Sequence, residues 1–582
     1  MRLLPLIGIL TAFASPALGQ TPAPKELPRV VLIGDSIRQG YAPHVAQQLS
    51  GRATVFSPKE NGGDSRNVLK HLDEWVIAQK PAVVHINCGL HDLRVDNATK
   101  VHQVPIAEYE ANLRTLIDRL RKETSASIVF ANATPLIDDR HAKRFEKFDR
   151  VVADVRKYNA TAERVMLELG VPVDDLFWIA EQSGIDKAIG PDGVHFTPAG
   201  YERLAEAVTD CVVRQLIIRR LAASQDPPPA PDAAEKYRKT EAVNDALVPK
   251  AFKNLNIGKF SIPASAAAWK QERPKVLEKV IASLGDLPPR PSPVTSRIVS
   301  RELRPGYVLE RVAIDNGMDD EIGALILVPT ALTKPAPAVM WLHSTSPDRN
   351  QAITPNTNGG PESFGETLVK SGYVVFAPDA CWYGERSTTG PSGAAEVGRM
   401  QHDTLMKFHL WMGRPLWGMF VRDDQCALDY LTSRKEVDAA RIGVTGMSMG
   451  STRSWWLAAV DERIACTVAV ACMTRYENLI KHGQLRQHGG YYFAYGILKH
   501  FDSEGVLALI APRPLLVLTG DLDAGSPADG IRMIEEKVTD VYAVLGAKDR
   551  FRNILYPDTG HLVTPAMRAE TIAWFDRWLK AK

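Results

Sequence analysis

Two sets of serine, aspartate and histidine stand in this chain at spacings suited to acyl transfer. The first is split: Gly34-Asp35-Ser36 near the start, and Asp192-Gly193-Val194-His195 a domain's length later. The second is Gly446-Met447-Ser448-Met449-Gly450, followed by Asp523 and His561. A serine hydroxyl is a poor nucleophile until a base takes its proton. His195 and His561 are the candidate bases, and Asp192 and Asp523 the groups that fix their tautomers, with Asp521 a rival to Asp523. A tetrahedral intermediate also needs hydrogen-bond donors for its oxyanion. The backbone N–H groups of Ser36 and Gly63 are candidates at the first site, and those of Met449 and Ser344 at the second.

Such groups work only if rigid elements aim them. Val30-Val31-Leu32-Ile33 is a short apolar strand that delivers Ser36 just past its end. Further strands read at 82–86 and 128–131, with helical spacing over 107–122 and a last helix over 198–221. Continuous apolar strands alternating with helices mean a parallel sheet covered on both faces, with ligands beyond the carboxyl ends of the strands. A second unit of the same kind begins near Val294, with strands at 338–342, 373–376, 442–445, 467–470, 515–518 and 553–556. Ser448 follows one of these and precedes a helical run, the strand–turn–helix context of a nucleophile elbow.

The 582 residues exceed one ordinary domain. Seventy basic side chains against 68 acidic ones leave no strong field for nucleic acid or an anionic membrane. Met1-Arg2, the apolar run Leu3 to Phe13 and Ala17-Leu18-Gly19 read as a signal peptide over 1–19, so export to the periplasm or medium is expected. Ser224 to Pro231 holds four prolines in eight residues and marks a spacer within a linker over 222–236. Each half carries its own strands, helices and triad, and each is expected to fold as a unit. The six cysteines lack paired metal spacing and read as buried thiols with at most a bridge. No metal and no organic cofactor is expected.

Residues 27–221 resemble the SGNH (GDSL) hydrolases. Gly34-Asp35-Ser36 matches the first block of that family, Asn61-Gly62-Gly63 the second, Gly89-Leu90-His91-Asp92 the third, and Asp192 to Phe196 the fifth. The resemblance implies that His91, standing where the family places an asparagine, donates to the oxyanion as a neutral ring, with Asn87 next in line. Residues 237–582, after a helical lead-in, resemble the dienelactone-hydrolase-like and acetyl-xylan-esterase-like α/β-hydrolases. That likeness rests on Ser448, Ala511 to Leu516, Gly520 to Pro527, His561 and the Asp379 to Arg386 loop. Met449 after the nucleophile departs from glucuronoyl esterases, which carry arginine there.

The expected fold class is α/β, as two three-layer domains: an SGNH (flavodoxin-like) domain and an α/β-hydrolase domain. The resemblances imply a serine carboxylesterase that removes acetyl or other short acyl groups from a polysaccharide such as xylan. The alternatives are one active esterase with a degenerate binding module, or an aryl or lipid esterase. Trp382, Tyr383, Tyr491, Tyr492 and Tyr495 are candidates to stack on sugar rings or to pack in the core.

Overall fold

A computed structural model describes residues 26–143, 147–223, 248–318, 320–345, 349–354, 363–387, 390–391, 393–396 and 399–580. The proposed signal peptide and the proline-rich spacer lie outside these. The strands are β1 (Arg29–Gly34), β2 (Thr54–Phe56), β3 (Val83–Asn87), β4 (Val95–Asp96), β5 (Ser127–Ala131), β6 (Phe148–Asp149) and β7 (Val173–Asp174) in the first half. The second half supplies β8 (Ser296–Arg304), β9 (Tyr307–Asp315), β10 (Glu321–Pro329), β11 (Ala336–Leu342), β12 (Val374–Pro378), β13 (Val437–Met447), β14 (Ile464–Val470), β15 (Leu515–Gly520) and β16 (Phe551–Tyr556).

Each half builds a three-layer α/β unit. In the first, β7-β5-β3-β1-β2 run parallel, the doubly wound order that opens a crevice where the strand order reverses. In the second, β12-β11-β13-β14-β15-β16 run parallel behind the antiparallel strands β8, β9 and β10. The fully buried apolar cores are distinct, although Leu303 of β8 packs on that of the first half and Ile218 of the Pro198–Ala223 helix on one of the second half. One holds β1, β3, β5 and the inner faces of helices Ile106–Glu123 and Val152–Glu168. The others lie on the two faces of the second half's sheet.

The sheet itself does not stop at the linker. β7 pairs antiparallel with β8, Val173 opposite Leu303 and Asp174 opposite Glu302, so among the described residues fourteen strands form one sheet through both halves. A bulge in β8 between Ile298 and Ser300 frees two carbonyls. Arg203, on the Pro198–Ala223 helix of the first half, donates to both, at 2.7 Å to Ile298 and 2.8 Å to Val299. Arg214 on the same helix donates to Glu302 at 2.7 Å, with both side chains almost fully buried. The junction therefore rests in good part on polar contacts, which no apolar periodicity announces. Removing one partner of a buried ion pair costs about 3–5 kcal/mol, because a charge is left uncompensated. A chain cleaved within Ser224 to Pro231 is thus expected to stay one 1:1 particle on size exclusion, separating only in denaturant. Two independently eluting pieces would show that the junction holds nothing.

Candidate active sites

Ser36 is the first residue of the helix Ser36–Gln48, immediately after β1 and Asp35. The sequence folds this way because Asp35 caps the helix, its carboxylate accepting the Ile37 N–H at 2.9 Å. Burial raises the pKa of Asp35, opposed by the nearby His91 ring and that N–H donation. His195 arrives from the turn before Pro198. Its Nε2 lies 2.8 Å from Ser36 Oγ and its Nδ1 2.6 Å from Asp192 Oδ2. Asp192 Oδ1 accepts the N–H groups of Val194 and His195, each at 2.9 Å. Burial works against the Asp192 charge, yet these N–H groups and the ring outweigh it and hold its pKa at about 2.

The donors at this site are less free than the sequence suggests. Gly63 N–H already donates to Asn61 Oδ1 at 2.8 Å, so service to an oxyanion requires that bond to open. Asn87 is spent: its amide donates to the carbonyls of Ala131 and Asn132 at 3.3 and 3.2 Å. Burial lowers the pKa of His91, and Asp35 only partly opposes it, so the ring is neutral near pH 7, as a single N–H donor must be. Beside it, burial pushes Asp92 up to about 7, although Ser65 donates to it through both N–H and hydroxyl.

At the second site Ser448 sits between β13 and the helix Met449–Val460 with φ +59° and ψ −119°. A non-glycine residue there costs about 1–3 kcal/mol and persists only when its surroundings demand it. They do so through packing. A Cβ on Gly446 would come within 2.4 Å of the Leu342 carbonyl oxygen, and one on Gly450 within 2.0 Å of the same atom. The two glycines let the elbow close onto β11, which points Ser448 Oγ outward. His561, after β16, places Nε2 2.8 Å from that oxygen and Nδ1 2.8 Å from Asp523 Oδ2. Asp523 Oδ1 accepts the Gly525 N–H at 2.9 Å. Asp521 instead accepts the Thr559 N–H, so of the two aspartates it is Asp523 that holds the ring.

Met449 N–H opens the helix next to Ser448, where the macrodipole favours negative charge. Ser344 does not stand as expected. Its N–H donates to Gln351 Oε1 at 3.2 Å, and it is Thr345, one residue on, that lines the cavity with Ser448 and Met449. Thr345 Oγ1 meets the Tyr491 hydroxyl at 3.0 Å. That cavity holds about 120 Å³, is partly open, and is walled by Cys472, His488, Tyr491 and Tyr492. His488, which sequence reasoning passed over, hydrogen-bonds Gly525 O through Nε2 at 2.9 Å and stacks on Tyr492 with centroids 4.2 Å apart. Burial lowers its pKa, so it braces the Asp523 turn as a neutral ring. Of the aromatic residues singled out for stacking, Tyr383, Tyr491 and Tyr492 are buried, whereas Tyr495 is exposed. The Asp379 to Arg386 loop is a clamp: Arg386 pairs with Asp423 at 2.5 Å and donates to the Ala380 carbonyl at 2.9 Å.

All six cysteines are free and buried. Among the described residues no cluster suits a metal ion, and no helix is long and apolar enough to cross a membrane.

Comparison with known proteins follows the same division. The model of the GDSL-like Lipase/Acylhydrolase family matches residues 32–203, and that of the Abhydrolase family residues 236–528. "Putative hydrolase YtaP" of Bacillus subtilis (strain 168) is 34% identical over 314 residues, 53% of this chain and 100% of its own length. "Isoamyl acetate-hydrolyzing esterase 1 homolog" of Rattus norvegicus is 26% identical over 194 residues, 30% of this chain and 78% of its own. Among solved structures, a glucuronoyl esterase from Solibacter usitatus aligns with a TM-score of 0.43 at 20% identity, covering 55% of this chain and 98% of that one. The chain belongs to the Abhydrolase family, with a GDSL-like lipase/acylhydrolase domain ahead of the family's own domain.

Proposed function

We propose that the chain is an exported two-site serine carboxylesterase that removes acetyl and other short acyl groups from a polysaccharide such as xylan. In this reading His195 or His561 takes the serine proton as Oγ attacks the ester carbonyl. The imidazolium, steadied by Asp192 or Asp523, returns that proton to the leaving sugar hydroxyl. Water then attacks the acyl-enzyme by the same route, and no cofactor enters. At the second site Met449 N–H and Thr345 N–H are the donors to the oxyanion.

The observation that carries the acyl class is the cavity of about 120 Å³ at Ser448, walled by Tyr491, Tyr492 and Cys472. A dry cavity of about 150 Å³ takes up benzene, so this one suits a short acyl chain of a few heavy atoms, with the bulky part of the ester, the alcohol, outside. The name of the rat relative of the first half speaks of an acetate ester, which supports the same class there. The apolar run after Met1-Arg2 supports export, which suits a polymer too large to enter a cell. A second reading, with the first site binding sugar esters but turning them over slowly, is favoured by the Gly63 N–H already committed to Asn61.

Full-length chains carrying Ser36→Ala or Ser448→Ala, assayed on acetylated xylan, acetylated pectin and aryl esters of rising acyl length, test these readings. The Ser36→Ala chain is expected to cleave acetates and to lose activity steeply beyond a few carbons. Equal turnover of octanoate would overturn the short-acyl reading. Silence of the Ser448→Ala chain on every ester would favour the binding-module reading of the first site.

A further inference from the structure

We infer that the first domain holds the oxyanion loop of the second active site in place, with Asp210 as the positioning residue. The inference rests on the esterase reading of Ser448 and goes beyond it.

A continuous series of side-chain contacts joins the two. Asp210 lies on the Pro198–Ala223 helix of the first domain. Its carboxylate accepts from Arg214 and from Ser300 on β8, and Arg311 on β9 stands 3.6 Å away. Burial disfavours the Asp210 charge, but Arg214, Arg311 and, more distantly, Arg349 outweigh it, so the carboxylate stays ionised. Arg311 then donates to Glu385. The other Glu385 oxygen takes Arg349 Nη2 at 2.9 Å. Arg349 is itself buried, pairs with Asp379 and sends its backbone N–H to Asp379 at 2.9 Å. It opens the short 3-10 turn Arg349–Ile353. From that turn Gln351 reaches back to the loop after β11, accepting the Ser344 N–H at 3.2 Å and donating to the Ser344 hydroxyl at 3.3 Å.

The loop is gripped from its other side as well. Ala380 N–H donates to His343 Nε2 at 2.9 Å, which leaves the proton on Nδ1, directed at the Ser344 carbonyl 2.7 Å away. Ser344 is thus held at both N–H and C=O, and Thr345, the next residue, lines the cavity at Ser448. An oxyanion donor acts only where it was placed before the charge develops. One of the two carboxylates that hold Arg349, Glu385, is shared with Arg311, whose other counter-charge, Asp210, lies in the first domain. Loss of the Asp210 charge would leave Arg311 to re-pair, and the displacement would pass through Glu385 to the Arg349 turn.

The test uses the full chain with Ser36→Ala, so that only the second site reports, and an aryl acetate as substrate. Asp210→Asn is expected to lower kcat about tenfold while KM changes less than twofold. Glu385→Gln, at a half-exposed position that the fold tolerates more easily, should do the same. Two residues acting in series give a double variant no worse than the poorer single one. Glu206→Gln, on the same helix and paired across the junction with Arg297, should keep the parent kcat. An unchanged kcat in both Asp210→Asn and Glu385→Gln, multiplicative losses in the double variant, or an equal loss in Glu206→Gln would overturn the inference. If Ser448→Ala in this background leaves turnover intact, the fault lies with the esterase reading of that site instead.

Discussion

Replacing Ser448 with alanine is expected to abolish most turnover of short acyl esters, a fall of about 10⁴- to 10⁶-fold at that site. The size follows from geometry. Ser448 Oγ is within 2.8 Å of His561 Nε2, the ring is pinned to a buried aspartate on its far side, and the elbow presents the oxygen to a partly open cavity. Alanine deletes the nucleophile while His561, Asp523 and Met449 keep their places, so what remains is donor placement and binding. Because the elbow is held by Gly446 and Gly450 against Leu342, the variant should unfold at the parent temperature. The measurement is initial rate on aryl acetate for the parent, Ser448→Ala, Ser36→Ala and the double variant. Most activity surviving in Ser448→Ala alone would move the principal site to Ser36.

Asp192→Asn, read in a Ser448→Ala chain, should cost about 10⁴-fold at the first site, the loss seen when a triad keeps its shape but takes the wrong tautomer. The asparagine can still accept N–H groups through its oxygen. Its amide would then face His195 Nδ1 as a donor and drive the ring proton to Nε2, where Ser36 needs an acceptor. The pH behaviour separates this from simple loss of charge. The Asp192 carboxyl is held at about 2, below the ordinary 3.8, so its stabilisation is complete above the ordinary value and lost only as pH falls through about 2. Any fall in activity between pH 5 and 7 therefore belongs to other groups. The ratio of parent to variant rates should stay large and level from about pH 8 to 9, above the range in which an imidazole ordinarily titrates. A ratio that collapses toward one at pH 9 would show that the tautomer is not the cause.

Residue type and local period settled much of this protein. Parallel strands buried on both faces read as unbroken apolar runs, so β1, β3, β5 and β11 to β16 were legible to within a few residues. Serines just past strand ends were legible for the same reason: a turn at the carboxyl end of such a strand is where backbone and side chain face a ligand. Asp523 was the choice over Asp521 from the sequence, and its place on the ring is seen only once β16 brings His561 to meet it.

Strands β8, β9 and β10 were missed although their turns are written plainly. Pro305-Gly306 and Asn316-Gly317 separate them, with positive φ at both glycines, a hairpin signature between alternating runs. Other features left no local trace. Gly63 and Ser344 carry N–H groups like any other, and only the folded loops show that Asn61 and Gln351 already take them. Thr345 and His488 have no motif, since the walls of a cavity come from segments far apart in the chain. The Arg214–Glu302 pair and the series from Asp210 to Gln351 read as ordinary surface charges until β7 meets β8. Sequence determines local chemistry and period, because both are short-range. Which charges are buried against each other is decided by how two sheets join, because desolvation and ion pairing depend on distance in space and not along the chain.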